Sequence, residues 1–253
     1  MSILNSRPTP PSPGLPDDGP APSRFQAWLP TVLSVIAGMV DLIGFLSLGI
    51  FTAHITGNIV VIGALVVHHN RLNPADVLAI PVFVLAVGAT WLIAKGTGQR
   101  GNSLMRLLLL IQFLLITCVL IFSVITKASA DPHGLTATIA AMIAITSMGC
   151  QFALLRLTLP VAPSTAVMTG NLTNAVLALM DSSSRGSQIE NGSRGLRGNI
   201  DLLIGFFVGC VVAAAAEMYL GDWAWSLPAA LAAVAVALSL GESMQCRHVK
   251  KKA

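Results

Sequence analysis

Six apolar runs, near residues 30–50, 76–95, 104–126, 135–157, 200–220 and 225–241, dominate the chain. Each approaches the about 20 residues that a helix needs to cross roughly 30 Å of hydrocarbon. Lipid offers no hydrogen bonds to the backbone, so such runs can fold only as helices that satisfy their own N–H and C=O groups. The expected fold is therefore all-α, a polytopic membrane helical bundle.

Two shorter apolar pieces, about 58–67 and 171–180, do not fit that scheme. Each follows a polar, glycine-bearing stretch. The first is Thr52-Ala53-His54-Ile55-Thr56-Gly57-Asn58; the second, 113 positions later, is Thr165-Ala166-Val167-Met168-Thr169-Gly170-Asn171. The two agree at Thr, Ala, Thr, Gly and Asn. Joined to its lead-in, each piece makes a thin span, 51–67 or 163–180, and the chain crosses eight times. Taken as a half-helix that enters and leaves on one side, each leaves six crossings.

Composition agrees with a membrane class and excludes others. Apolar residues make up 54% of the 253 and charged residues only 10%, with a mean hydropathy of +0.76, far from a soluble domain. The net charge of +4 does not imply a nucleic-acid partner, because the basic residues sit in loops and tails rather than among aromatics on one face. Cys118, Cys150, Cys210 and Cys246 are far apart and form no metal-ligand spacing.

The distribution of Lys and Arg favours six crossings. Cytoplasmic loops carry the excess of positive charge, and six crossings put all but Arg71 and Lys127 of the fifteen on one side, whereas eight crossings move Lys95, Arg100, Arg106 and Arg156 across. Both readings place both termini in the cytoplasm. With three crossings per half, the second half is inverted relative to the first, so the expected architecture is about six transmembrane helices plus two short re-entrant half-helices, as two inverted repeats. Repeat one covers about 30–126 and repeat two about 135–241, inside a membrane domain of 27–243. A proline-rich tail, 1–26, precedes it and reads as disordered; a basic tail, 244–253, follows. In transporters built this way, interrupted segments at matching positions mark the binding site near the midplane.

The residues Gly38-Met39-Val40-Asp41-Leu42-Ile43-Gly44-Phe45-Leu46, with Phe51 to Asn58 after them, resemble the YoaK-like family of bacterial inner-membrane proteins, domain of unknown function 1275. The resemblance spans about residues 27 to 243. It implies a multi-pass protein of the bacterial inner membrane and no particular substrate.

Candidate site residues follow from the cost of polarity at membrane depth. Asp41, about eleven residues into the first run, costs on the order of 3 kcal/mol to insert, so it reads as a proton or cation site, or as a cap that locks the fold. His54 is its nearest partner. Thr56, Asn58, Thr169 and Asn171 can offer donors and acceptors to a ligand or cap the half-helices, while Gly57 and Gly170 permit a turn or close approach. Gln151 stands before the second break loosely as Asp41 stands before the first. Glu217 is expected to reach the interface. Gly205-Phe-Phe-Val-Gly209 suits close helix approach, within the chain or in a homodimer. The loop Asp181 to Asn199 reads as a flexible linker, and His68, His69, Arg71 and Asp76 as a hydrated loop.

Together these features predict a secondary transporter or permease of a small polar or anionic solute, proton-coupled through Asp41, with the lipid bilayer as its surroundings. The alternative is a channel-like or structural membrane protein. No cofactor or metal is expected. An enzyme is not expected either, since no nucleophile or second carboxylate accompanies Asp41 and His54.

Overall fold

A computed structural model describes residues 23–67, 73–184 and 189–252. Among them helices are the only regular structure, with eight α-helices: α1 (Arg24–Leu48), α2 (Ile55–Val67), α3 (Pro74–Thr97), α4 (Asn102–Thr126), α5 (Leu135–Thr158), α6 (Met168–Ser184), α7 (Ile189–Leu220) and α8 (Ser226–Lys252). Five stretches are long and apolar enough to cross a membrane: α1, α3, α4, α5 and Gly195–Glu242. The last contains most of α7, the 3-10 turn Gly221–Trp225 and the start of α8. The chain is thus an all-helical membrane protein.

Local signals set the helix ends. α1 opens with a capping box, in which Ser23 Oγ accepts from the Gln26 N–H at 3.3 Å and Gln26 Oε1 accepts from the Ser23 N–H at 3.0 Å. It closes at Gly49, whose φ of 70° lets the Ile50 N–H reach back to the Gly44 carbonyl at 3.3 Å. α3 starts on Asn73, whose side chain accepts from the Ala75 N–H, with Pro74 in the first turn.

Burial ranks the helices. In their most apolar windows 67% of α1 and 78% of α5 is buried inside the protein, against 17% of α3, so α1 and α5 form the centre and α3 the rim. Large apolar side chains on α3, including Val84, Leu85 and Leu92, are exposed, as a lipid-facing surface requires.

Contacts fix the helix directions. Ser34 Oγ donates to the Leu202 carbonyl and Ser47 to Glu217, so α1 and α7 run parallel. Gln151 Nε2 donates to the Leu33 carbonyl at 2.9 Å, while Gly49 faces Pro132 just before α5, so α1 and α5 are antiparallel. One end of the bundle therefore gathers the starts of α1, α4 and α7 and the ends of α5 and α8. Gln26 bonds Asn102 there, and Ser23 bonds Glu242. At the other end Asn73 meets Pro132 and His133, and the Ser129 N–H donates to Asp222. The segment between α1 and α3 thus leaves and returns at one end, and the segment between α5 and α7 does so at the opposite end.

The packing also has an internal order. Exchanging α1 with α5, α2 with α6, α3 with α7 and α4 with α8 turns the α1–α7 pair into α5–α3, α1–α8 into α5–α4 and α2–α3 into α6–α7, and leaves α1–α5 and α4–α8 unchanged; all of these pairs are packed.

Two expectations change, and a third is settled toward packing within the chain. The linker expected at Asp181–Asn199 is largely helical, because α6 runs to Ser184 and α7 begins at Ile189; hydropathy marks only the apolar part of a helix, whereas backbone hydrogen bonding continues past it. Asp76 is not in a hydrated loop but buried in the first turn of α3. His68, His69 and Arg71 lie outside the described residues. The Gly205/Gly209 pair is spent inside the chain: a Cβ on Gly209 would collide with the Val35 carbonyl oxygen, and one on Gly38 with that of Phe206. Close approach of α1 and α7 requires those glycines.

Candidate functional site

After Gly49 the chain turns back alongside α1 and brings residues 52–54 level with Asp41, almost two turns before the helix end. Three successive backbone N–H groups then converge on one oxygen: Asp41 Oδ1 accepts from Thr52 at 2.8 Å, Ala53 at 2.7 Å and His54 at 3.2 Å. Its second oxygen, Oδ2, lies 2.7 Å from His54 Nδ1. Thr52 Oγ1 adds a bond to the Val40 carbonyl. All three N–H groups belong to the linker just before α2, and the protein's own carboxylate, reaching over from α1, satisfies them at a depth where no water or other backbone would.

His54 lies in the linker, with its side chain about one-third exposed. Its ring packs edge-on against Phe206 of α7, with centroids 5.1 Å apart. The hydrogen bond to Asp41 raises its pKa above the ordinary imidazole value of 6.5, against burial, which lowers it.

The two asparagines expected as caps sit inside their helices, because α2 begins at Ile55 and α6 at Met168. Each is buried and reaches back seven residues. Asn58 pairs with both backbone groups of Phe51, accepting its N–H at 3.1 Å and donating to its carbonyl at 2.8 Å. Asn171 donates to the Ser164 carbonyl at 2.8 Å. Thr56 and Thr169 are exposed; their matched neighbours Thr52 and Thr165 are buried. Gly57 lies under the Phe51 ring, and Gly170 lies against Val167.

The second break differs where the first has its acid. Gln151 is fully buried and tied between helices, accepting from Gln112 Nε2 at 2.6 Å and donating to Leu33 of α1; it does not reach residues 164–171. Beside that break lies a cleft of about 420 Å³ with mostly polar walls, lined by Arg156, Ser164, Asn171, Asn174 and Asn199. Next to it is an apolar cleft of about 470 Å³ between Pro30, Leu159 and Leu202. The first break is closed on Asp41 and His54; the second opens onto a polar cleft.

Sequence reasoning missed two features. Arg156 and Asn199 of the cleft come from the end of α5 and from α7, and nothing in their spacing unites them. Glu217 bonds Ser47 across the seam between α1 and α7, a partner that the sequence reading did not name. A signal for it existed, since Gly205, Gly209, Ala213 and Glu217 recur every fourth residue and so share one face of α7.

A family model described as protein of unknown function (DUF1275) matches residues 29–238. Comparison with curated proteins returns no match, and neither does comparison with solved structures.

Proposed function

The chain belongs to the DUF1275 family of proteins of unknown function, and from that premise we propose that it is a secondary transporter or permease of a small polar or anionic solute. The observation that carries this reading is the pair of matched helix breaks at opposite ends of the bundle, one closed on Asp41 and His54 and the other open to a polar cleft beside Arg156. A carrier alternating between two accesses needs such a difference between related halves. The exchange symmetry of the packing and the antiparallel central helices support six crossings arranged as two inverted repeats in a bacterial inner membrane, with both termini cytoplasmic.

In this mechanism the solute enters the cleft at the second break. The Arg156 guanidinium and the amides of Asn174 and Asn199 supply charge and hydrogen bonds there. Asp41 couples a proton to the motion. As a carboxylate it holds the N–H groups of residues 52–54; protonated, it loses most of its strength as their acceptor, and the first break is freed to open while His54 relays the proton. Gly57, Gly170, Thr56 and Thr169 shape the two turns, and Gln151 holds α5 to α1 as the repeats rock.

A second reading has its own support. Asn58 and Asn171 both spend their side chains on backbone, as they would in a protein whose breaks only brace the fold. Two measurements separate the readings. Single cysteines at Ala53–Ile59 and Ala166–Leu172 should react with impermeant reagents from opposite sides; reaction from one side only rejects the inverted arrangement. Solute-dependent proton movement in proteoliposomes should be abolished by Asp41→Asn, and an unchanged rate with unchanged pH dependence removes Asp41 from coupling.

A further inference from the structure

We infer that Glu217 is a second proton-binding site within the bundle, holding its proton as a neutral acid on the seam between α1 and α7. Glu217 Oε1 is bonded to Ser47 Oγ. Its other oxygen, Oε2, is buried and has no hydrogen-bond partner in the protein. The residue as a whole is only partly buried, but a carboxylate whose Oε2 is shut away from any partner carries a desolvation cost that the neutral acid largely avoids. The geometry is therefore that of a neutral acid whose carbonyl oxygen Oε1 accepts from the Ser47 hydroxyl, with the proton on Oε2.

The surroundings supply no counter-charge. Among the described residues the only ion pair is Asp41–His54. Of the elements packed on α7, α1 brings Asp41, already engaged by three N–H groups and His54. The 3-10 turn after α7 brings Asp222, itself negative and accepting from the Ser129 N–H. α6 brings no ionisable side chain among those described. On α7, Cys210 is a neutral thiol that donates to the Gly38 carbonyl. Every charge that faces Glu217 thus opposes its ionisation or is neutralised elsewhere.

The position gives that proton a consequence. Glu217 continues the stripe of Gly205, Gly209 and Ala213 along which α7 touches α1, so the protonated pair latches the seam six residues beyond Asp41. Loss of the proton places an uncompensated charge on the seam and favours its parting. The inference concerns the charge state of one carboxyl group and stands whether or not the protein carries a solute.

Infrared spectroscopy of the purified full-length protein in lipid, at neutral pH, tests it. The wild type should show a protonated-carboxyl C=O band that Glu217→Gln removes and Asp41→Asn leaves in place. Glu217→Gln, which keeps a neutral group of the same shape, should melt close to wild type, and Glu217→Ala well below it. Should the glutamine variant fail to fold, Ser47→Ala keeps the acid but removes its partner, and the band should move to higher frequency. A band that persists in Glu217→Gln, or that Ser47→Ala does not move, overturns the inference.

Discussion

Asn58 and Asn171 make the same bond in the two halves: each side-chain nitrogen donates at 2.8 Å to the carbonyl oxygen of the residue seven positions earlier, Phe51 and Ser164 respectively. A buried primary amide that grips the backbone just upstream turns an unpaired loop into a closed one. Both breaks are held in one conformation by this device.

Truncating the clasps should therefore cost stability unequally. Asn58→Ala strips Phe51 of partners for both its N–H and its C=O, while Asn171→Ala frees one carbonyl. Each orphaned buried group costs about 1–3 kcal/mol, so Asn58→Ala should lower the melting temperature in detergent roughly twice as far as Asn171→Ala. Equal losses would mean that the Phe51 N–H finds another acceptor.

The Asp41 cap should be more expensive still. Asp41→Ala leaves three backbone N–H groups without their acceptor, a loss on the order of 3 kcal/mol or more given that bonds to charged acceptors are the stronger class. Asp41→Asn keeps one acceptor oxygen and should lose less. A double-mutant cycle with His54→Ala isolates the carboxylate–imidazole pair, and a coupling near zero would show that the pair contributes nothing beyond the cap.

Stability should depend on pH through His54. Its folded-state pKa is raised above 6.5 by Asp41, so the protonated pair contributes fully below about that value and the contribution is lost as pH rises through the raised folded value. Thermal midpoints should fall over that interval in the wild type, and His54→Gln should flatten the fall. The same slope in His54→Gln would assign the dependence to another group.

Glycine substitutions should sort by seam. Gly38→Ala and Gly209→Ala drive a Cβ into a backbone carbonyl of the partner helix and should separate α1 from α7, abolishing a stable fold or costing several degrees. Gly88→Ala meets nothing within 4 Å and, as a helix-interior replacement, should be neutral or stabilising by up to about 1 kcal/mol. Matching effects at all three positions would contradict the close approach.

Much of the scaffold was legible in the sequence. The lengths of α1, α3, α4 and α5 follow from apolar runs, because transfer into lipid is scored residue by residue. The two breaks were visible as a repeated Thr-Ala-x-x-Thr-Gly-Asn. The extension of α6 and the early start of α7 were not, since hydropathy says nothing of a helix once it leaves the apolar layer.

What the sequence determined by itself is the class of the protein, the positions of its long helices, and the presence of two related breaks with an acid near the first. Only the tertiary structure decided what those residues touch. It gave Asp41 to the backbone of residues 52–54, Gln151 to Gln112 and Leu33, the glycines of α7 to α1, and Ser47 to Glu217. The reason is physical: whether a segment enters lipid depends on its own side chains, but the partner that satisfies a buried donor or acceptor is set by which helices meet, at what depth and in which direction.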